Sequence, residues 1–253
     1  MRGVAAFCLA LVVVTPSAAR AQSPQFLSDY NVRIGASRLS VGDDQFAWDA
    51  RFDGDVDLFQ YGRGRINITT NYEVVLGTEL RRFDPNQSLY TLDLRLTRRF
   101  GANEIAGLFH HVSRHLSDRR KTQAIDWNAV GTEFTRSQTV GPIQTESLFR
   151  GDWIVRHAYA DYTWQLGGRV RARWPMRPRV ALIGEGSLDY MGTDPAIADR
   201  TTQRGGYAEA GLRLAGSSGS LDLILAYERR IDADPLIRGP RSWALVGFRL
   251  ITP

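Results

Sequence analysis

A short stretch of the sequence, GLFHHVSRHLSDRR at residues 107–120, contains three of the four histidines of this 253-residue chain. His111 and Ser113 lie two positions apart within it. If the stretch is a β-strand, these two side chains share a face and their α-carbons lie about 6.6 Å apart. At that separation an imidazole can take the proton of a serine hydroxyl during nucleophilic attack. The stretch therefore predicts a candidate nucleophile, Ser113, with His111 as its base.

Such a pair needs a third polar group that orients the imidazole. Asn128 and the nearby Asp126 follow in the sequence AIDWNAV, on the next predicted strand, and either can be that group. A donor for an oxyanion is not evident. Strand pairing uses the backbone N–H groups, so the donor would be a side chain, a cation or water. Arg114 follows the serine, but alternation points it to the opposite face.

Other uses of the same stretch stay open. Its histidines can be hydrogen-bonding or surface residues without any chemistry. Its basic residues can bind lipid phosphates at the end of the strand; these are Arg114, Arg119, Arg120 and Lys121. We expect no metal site, because on a strand His111 and His115 would lie about 13 Å apart, too far to share one ion.

The first residues, MRGVAAFCLALVVVTPSAARAQS, have the features of a secretory signal peptide. Arg2 precedes an apolar segment, and an A-x-A cleavage pattern ends at Ala21. The apolar segment is shorter than the roughly 18 residues that a membrane-spanning helix needs. We expect residues 1–21 to be removed and residues 22–253 to form one domain. Removal takes away Cys8, the only cysteine, so the mature chain can form no disulfide.

The chain is basic, with a formal net charge of +5. Its basic residues alternate with acidic ones along the chain, however, and do not form a stripe. This pattern argues against a nucleic-acid partner.

Apolar and polar residues alternate with a period of two through most of the chain, and no segment after residue 21 has a helical period. The predicted strands are about ten residues or longer, which is the length of a tilted strand that crosses a bilayer. Aromatic residues occupy apolar-face positions near strand ends, as in an interfacial girdle; they are Trp48, Tyr90, Trp164, Tyr190 and Tyr227.

We therefore predict an all-β fold, an antiparallel transmembrane β-barrel of about 12 strands with ten as the alternative. A soluble β-sandwich also alternates, but here the polar face carries acids and bases together, as a side-chain-filled interior requires. The predicted interior charges are Asp93, Arg95, Glu185, Asp189, Glu209, Arg213, Asp222 and Glu228. The even count requires that residues 153–174 form two strands divided at Gly167–Gly168. Residues 137–152 then form a long periplasmic connection, and the other long connections lie outside.

The pair His111 and Ser113 on a barrel strand resembles two outer-membrane lipid hydrolases, outer-membrane phospholipase A and the lipid A 3-O-deacylase. In both families an H-x-S pair supplies the catalytic histidine and serine on the outer wall near the external leaflet. The phospholipase adds an asparagine, which the resemblance places at Asn128. Both families follow the serine with Asn, whereas this chain has Arg114.

The same stretch is similar to an uncharacterised family of bacterial outer-membrane proteins with the approximate signature H-x-S-S-H-x-G-D-E. His111, Ser113, His115 and Asp118 match it, and Arg114, Ser117 and Arg119 depart from it. That resemblance implies location and fold but no chemistry.

Two functions follow as expectations. The first is a non-catalytic outer-membrane barrel, structural or a narrow conduit. The alternative is a lipid-directed serine acyl hydrolase with its pair at the extracellular rim. Outer-membrane lipids and lipopolysaccharide are the expected partners, whereas cofactor and oligomeric state are not predicted. A lipid hydrolase needs the pair on the outer face, and both faces of strand 104–115 are half apolar, so the sequence leaves this open.

Overall fold

Twelve antiparallel strands form a closed barrel in the computed structural model, which describes residues 23–117 and 123–252. Each strand pairs with the next, and the last pairs with the first. The strands are β1 Gln25–Asp43, β2 Phe46–Tyr61, β3 Gly64–Gly77, β4 Asp84–Phe100, β5 Asn103–Leu116, β6 Ile125–Val140, β7 Ile143–Ala158, β8 Tyr162–Arg177, β9 Val180–Thr193, β10 Gln203–Ala215, β11 Ser220–Arg230 and β12 Arg241–Ile251. The predicted 12-stranded barrel is confirmed. The predicted signal peptide lies outside the described residues.

The outer surface of the barrel is apolar. Leu96, Leu225 and Val246 are 68%, 64% and 61% exposed, and they point outward from three different strands. A water-soluble protein buries most of its leucines and valines, whereas here they are exposed around the wall. This distribution is typical of a barrel that faces lipid. No helix in the described part of the chain is long and apolar enough to span a bilayer.

Charged side chains fill the interior as ion pairs. Seven of the eight predicted interior charges have a partner; the pairs are Asp93–Arg95 at 2.7 Å, Glu185–Arg171 at 2.5 Å, Glu209–Arg249 at 2.8 Å, Asp222–Arg213 at 2.7 Å and Glu228–Arg230 at 2.8 Å. Glu209 pairs with Arg249, whereas Arg213 pairs with Asp222. Asp189 also lines the interior, but no residue of the described ranges forms an ion pair with it.

The two ends of the barrel differ in the length of their connections. At one end, the strands of four hairpins are joined by two-residue turns, and the strands of a fifth hairpin are joined by a four-residue turn. Gly62, Gly101 and Gly141 begin three of these turns with φ of 59°, 62° and 58°, a conformation that other residues adopt only at a cost. The longest connections, 117–124, 194–202 and 231–240, all lie at the other end. Because short turns are periplasmic in such barrels, that second end is the extracellular one.

The prediction of a long periplasmic connection at 137–152 is wrong. Residues 137–140 belong to β6 and 143–152 to β7, and a two-residue turn at Gly141 joins them. This hairpin has polar residues on both faces, and Arg136 and Gln138 are exposed at its end. Backbone pairing continues there although the apolar alternation has ended, which is why the sequence resembles a loop.

The predicted division of residues 153–174 at Gly167–Gly168 is also wrong, because β8 runs through both glycines. Gly167 pairs with Arg150 on one side and Asp189 on the other. A Cβ at Gly167 would lie 3.1 Å from a carboxylate oxygen of Asp189. The glycine thus makes room for an interior carboxylate and does not break the strand. The true break precedes Tyr162, at residues 159–161.

The connections 194–202 and 231–240 close over the extracellular mouth of the barrel, and we call them the cap. The Arg200 guanidinium donates to both carboxylate oxygens of Asp232, at 2.8 Å each, and to Asp161. Arg114 points inward from β5 and donates to the Asp232 and Ala233 carbonyl oxygens at 2.6 and 3.0 Å. The cap is therefore held by buried charge-assisted hydrogen bonds, which are stronger than neutral ones.

We expect the cap to open in acid. Burial alone would raise the pKa of Asp232, but hydrogen bonds from Arg200 and Tyr162 lower it below its ordinary value. A lowered carboxyl pKa contributes stability above the ordinary aspartate value of about 3.9 and loses it as pH falls below that value. Limited proteolysis in micelles should therefore cut residues 231–240 much faster at pH 3 than at pH 7. Arg200→Ala should give the fast cutting already at pH 7, whereas the exposed control Asp199→Asn should not.

Candidate functional site

The histidines of β5 divide between the two faces of the barrel wall. Leu108, His110 and Val112 are buried, whereas Ile105 and Phe109 on the alternate positions are exposed to the outside. His110 therefore points inward, where its Nδ1 contacts Asp93 in the interior ion network. The positions that follow Phe109 on the same face, 111, 113 and 115, point toward lipid.

His111 is held by Asn128. The two residues are paired across β5 and β6, and His111 Nδ1 lies 2.7 Å from Asn128 Oδ1. An amide oxygen only accepts hydrogen bonds, so this contact places the imidazole proton on Nδ1. The Nε2 atom of His111 is then left with a lone pair and can act as a base.

Ser113 is bonded to a different histidine. Its Oγ lies 3.0 Å from Nε2 of His115, two positions further along the outer face. The His115 ring also packs edge-on against Tyr90, with ring centroids 5.4 Å apart. Ser113 thus has a histidine two positions away on each side along the strand, and in the described conformation its hydroxyl is bonded to His115.

The other predicted site residues are less closely joined to this group. Asp126 is the β6 partner of Ser113, but no hydrogen bond joins its carboxylate to a histidine of the described residues. Arg114 points inward to the cap, so the expectation that it binds phosphates at the outer rim does not fit its position. Arg119, Arg120 and Lys121 lie outside the described residues, as does Asp118 of the family signature.

An apolar wall surrounds the site. Leu92 on β4 is the pairing partner of His111 and is 39% exposed. Val130 on β6 and Trp153 on β7 are paired neighbours and are 45% and 62% exposed. The polar group Ser113, His111 and Asn128 thus lies toward the extracellular end of β5 and β6, above exposed apolar residues. This end of an outer-membrane barrel is the one that faces the external leaflet.

Comparison with known proteins identifies the fold. The outer membrane phospholipase A of Escherichia coli aligns with 89% of this chain and 97% of its own, with a TM-score of 0.53 and 14% identity. The chain has the fold of an outer-membrane β-barrel. The Salmonella typhi phospholipase, described as a dimer with bound calcium, gives a TM-score of 0.54, 13% identity and coverage of 89% of this chain and 91% of its own. No family model matches the sequence, and no match is found among curated proteins.

Two features of the site were missed from the sequence. The first is the contact between Ser113 and His115: His111 and His115 are each two positions from the serine, so strand periodicity does not choose between them. The second is Arg156: a bulge in the β6–β7 pairing between Asn128 and Ala129 changes the alternation and brings it opposite Asn128. Among the described residues, no group of three or more His, Cys, Asp or Glu is placed to hold a metal ion.

Proposed function

We propose that this protein is an outer-membrane acyl hydrolase that cleaves lipid esters with Ser113 as nucleophile and His111 as base. The observation that carries the proposal is the 2.7 Å contact of His111 with Asn128 on the outer wall, with Ser113 next on the same face. A serine and an imidazole that is oriented by a third polar group are the parts that serine hydrolases use, and here they share one face of β5. Its outward position gives a bilayer lipid access to it.

The reaction follows from these positions. The Ser113 hydroxyl rotates from His115 to His111, and its oxygen attacks the ester carbonyl carbon while the proton moves to Nε2 of His111. The ester C–O bond then breaks, and the leaving alkoxide takes that proton. A water molecule, deprotonated by the same imidazole, attacks the carbonyl carbon of the acyl-serine. The acyl–Oγ bond then breaks, Ser113 Oγ takes the proton from His111, and the fatty acid is released. Asn128 holds the imidazole through both steps.

The test of this activity is release of fatty acid by the purified protein in detergent micelles. We expect release from a glycerophospholipid or from lipid A. Absence of release from both substrates would leave His111, Ser113 and Asn128 as polar residues of the barrel rim.

The interior supports a second candidate, a non-catalytic barrel that is structural or a narrow conduit. A cavity of about 560 Å³ at the periplasmic end is lined by charged residues, among them Arg33, Arg171 and Glu185. At the other end the cap covers the mouth. A conduit would conduct ions across a planar bilayer. Arg200→Ala, which removes the hydrogen bonds to Asp161 and Asp232 in the cap, would raise that conductance. A hydrolase would require neither conductance nor its increase.

The proposed location has its own test. An apolar outer wall with paired charges inside should keep the folded barrel in the outer membrane and resistant to detergent at room temperature. We expect the mature protein to fractionate with outer membranes and to migrate differently in detergent gels before and after boiling. A chain that stays soluble and monomeric without detergent would contradict the membrane location.

A further inference from the structure

Arg156 is an exposed cation on the outer wall beside the candidate site. It lies on β7 directly opposite Asn128, next to the bulge in the β6–β7 pairing. Paired residues of neighbouring strands share a face, and Asn128 faces outward with His111. Arg156 therefore extends toward lipid from the same cross-strand row as His111 and Asn128.

The surroundings of Arg156 are apolar. Val155 and Trp153 precede it on the same wall and are 56% and 62% exposed. In the described part of the chain, neither an ion pair nor a hydrogen bond involves the Arg156 guanidinium. Two other exposed arginines on the outer wall, Arg38 and Arg204, instead lie over the rings of Trp48 and Tyr190, at 5.3 and 5.9 Å.

A cation on a lipid-facing wall is costly unless it meets an anion at the headgroup level. Guanidinium binds phosphate through two parallel hydrogen bonds and is well suited to that anion. Neighbouring strands lie about 4.8 Å apart, so the α-carbons of His111 and Arg156 lie about 10 Å apart across Asn128. A glycerophospholipid has its phosphate a few bonds from its acyl esters, so one lipid can reach both positions.

We propose that Arg156 binds the phosphate of the lipid whose acyl ester is presented to Ser113, and so selects phosphate-bearing lipids over neutral ones. This inference rests on the proposed hydrolase function. Arg156 is then a substrate-binding residue, and its contribution is to binding and not to the proton transfers at His111.

Paired substrates test the selectivity. Dioctanoyl phosphatidylglycerol and dioctanoylglycerol, in the same micelles, differ in the phosphate. Loss of a charge-assisted hydrogen bond pair in Arg156→Gln should raise KM for the phosphate-bearing lipid about tenfold or more, with kcat little changed. The KM for the neutral lipid should stay the same, and Arg156→Lys should restore part of the loss. Arg204→Gln, the matched control, should change neither. Equal KM changes on both substrates, or none, would overturn the proposal.

Two further measurements identify the lipid that supplies the phosphate and distinguish failure of the hydrolase function from failure of the role of Arg156. Lipid A is assayed as a third substrate, and the substrate whose KM responds to Arg156→Gln is the source of the phosphate. Binding of an ether-linked dialkyl phosphatidylglycerol, which cannot be hydrolysed, is measured in the same variants. If no ester is cleaved by the wild-type protein, the hydrolase function fails and this binding alone decides the role of Arg156. Equal binding by wild type and Arg156→Gln would then contradict it.

Discussion

Replacing Ser113 with alanine is expected to lower fatty acid release at least about a hundredfold, because the variant has no hydroxyl to attack the ester. Ser113 is on the outer face of β5 and fills no interior space, so the barrel should fold as before. Release is measured in micelles with equal amounts of folded protein, judged by gel migration before boiling. Ser88, on the outer face of β4 beside His115, provides the control: Ser88→Ala should retain most of the activity. Full activity in Ser113→Ala would contradict the assignment.

The two histidines beside Ser113 should differ in their effects. His111 has its tautomer set by Asn128, whereas His115 contacts the serine and packs against Tyr90. His111→Ala should therefore lose about as much activity as Ser113→Ala. In a catalytic unit, loss of either the nucleophile or its base disables the same step. His115→Ala should keep activity, because it removes only the resting partner of the hydroxyl. The reverse order would make His115 the base.

Replacing Asp222 with alanine is expected to destabilise the barrel by about 3–5 kcal/mol. Asp222 is fully buried, and it accepts hydrogen bonds from Arg213 at 2.7 and 2.8 Å and from Arg249 at 3.0 Å. Its removal leaves Arg213 without its partner in the interior and Arg249 with Glu209 only. The free energy of unfolding is measured by urea titration in micelles, followed by tryptophan fluorescence.

The matched control for Asp222 is Glu146, an interior acid near the periplasmic mouth. Its side chain is 39% exposed, and its arginine contacts, at 3.7 Å, are long. Glu146→Ala should cost less than about 1 kcal/mol, as partly solvated pairs usually do. A similar small cost for Asp222→Ala would show that the interior charges are well hydrated and that their pairing does not stabilise the fold.

Period-two alternation predicted the barrel. The predicted strand number is correct, although it depended on a division at Gly167–Gly168 where the structure has one continuous strand. The alternation predicted the interior position of Asp93, Glu209 and Asp222, because an apolar outer face and a polar interior follow from the bilayer and the pleat. It failed at the β6–β7 hairpin, where the strands are polar on both faces. It also failed at Gly167, where the missing side chain leaves space for the carboxylate of Asp189. Neither feature changes the backbone pairing that defines a strand.

The candidate site was predicted in part. Spacing alone brought His111 and Ser113 onto one face, and the structure adds that this face is the outer one. The register between β5 and β6, which places Asn128 opposite His111, could not be read from the sequence because both faces of β5 are half apolar. The position of Arg156 depends on a bulge in strand pairing, and the contact of Ser113 with His115 depends on a side-chain rotamer. Neither has a signal in residue periodicity.

Covalent labelling tests most directly whether Ser113 is an activated nucleophile on the lipid-facing wall. The folded protein in micelles is treated with a long-chain alkyl fluorophosphonate, and the site of attachment is found by peptide mass spectrometry. We expect one adduct on Ser113, lost in His111→Ala because the hydroxyl then loses the imidazole that we assign as its base. Absence of an adduct on the wild-type protein, or an adduct on Ser88 in place of Ser113, would contradict the hydrolase assignment.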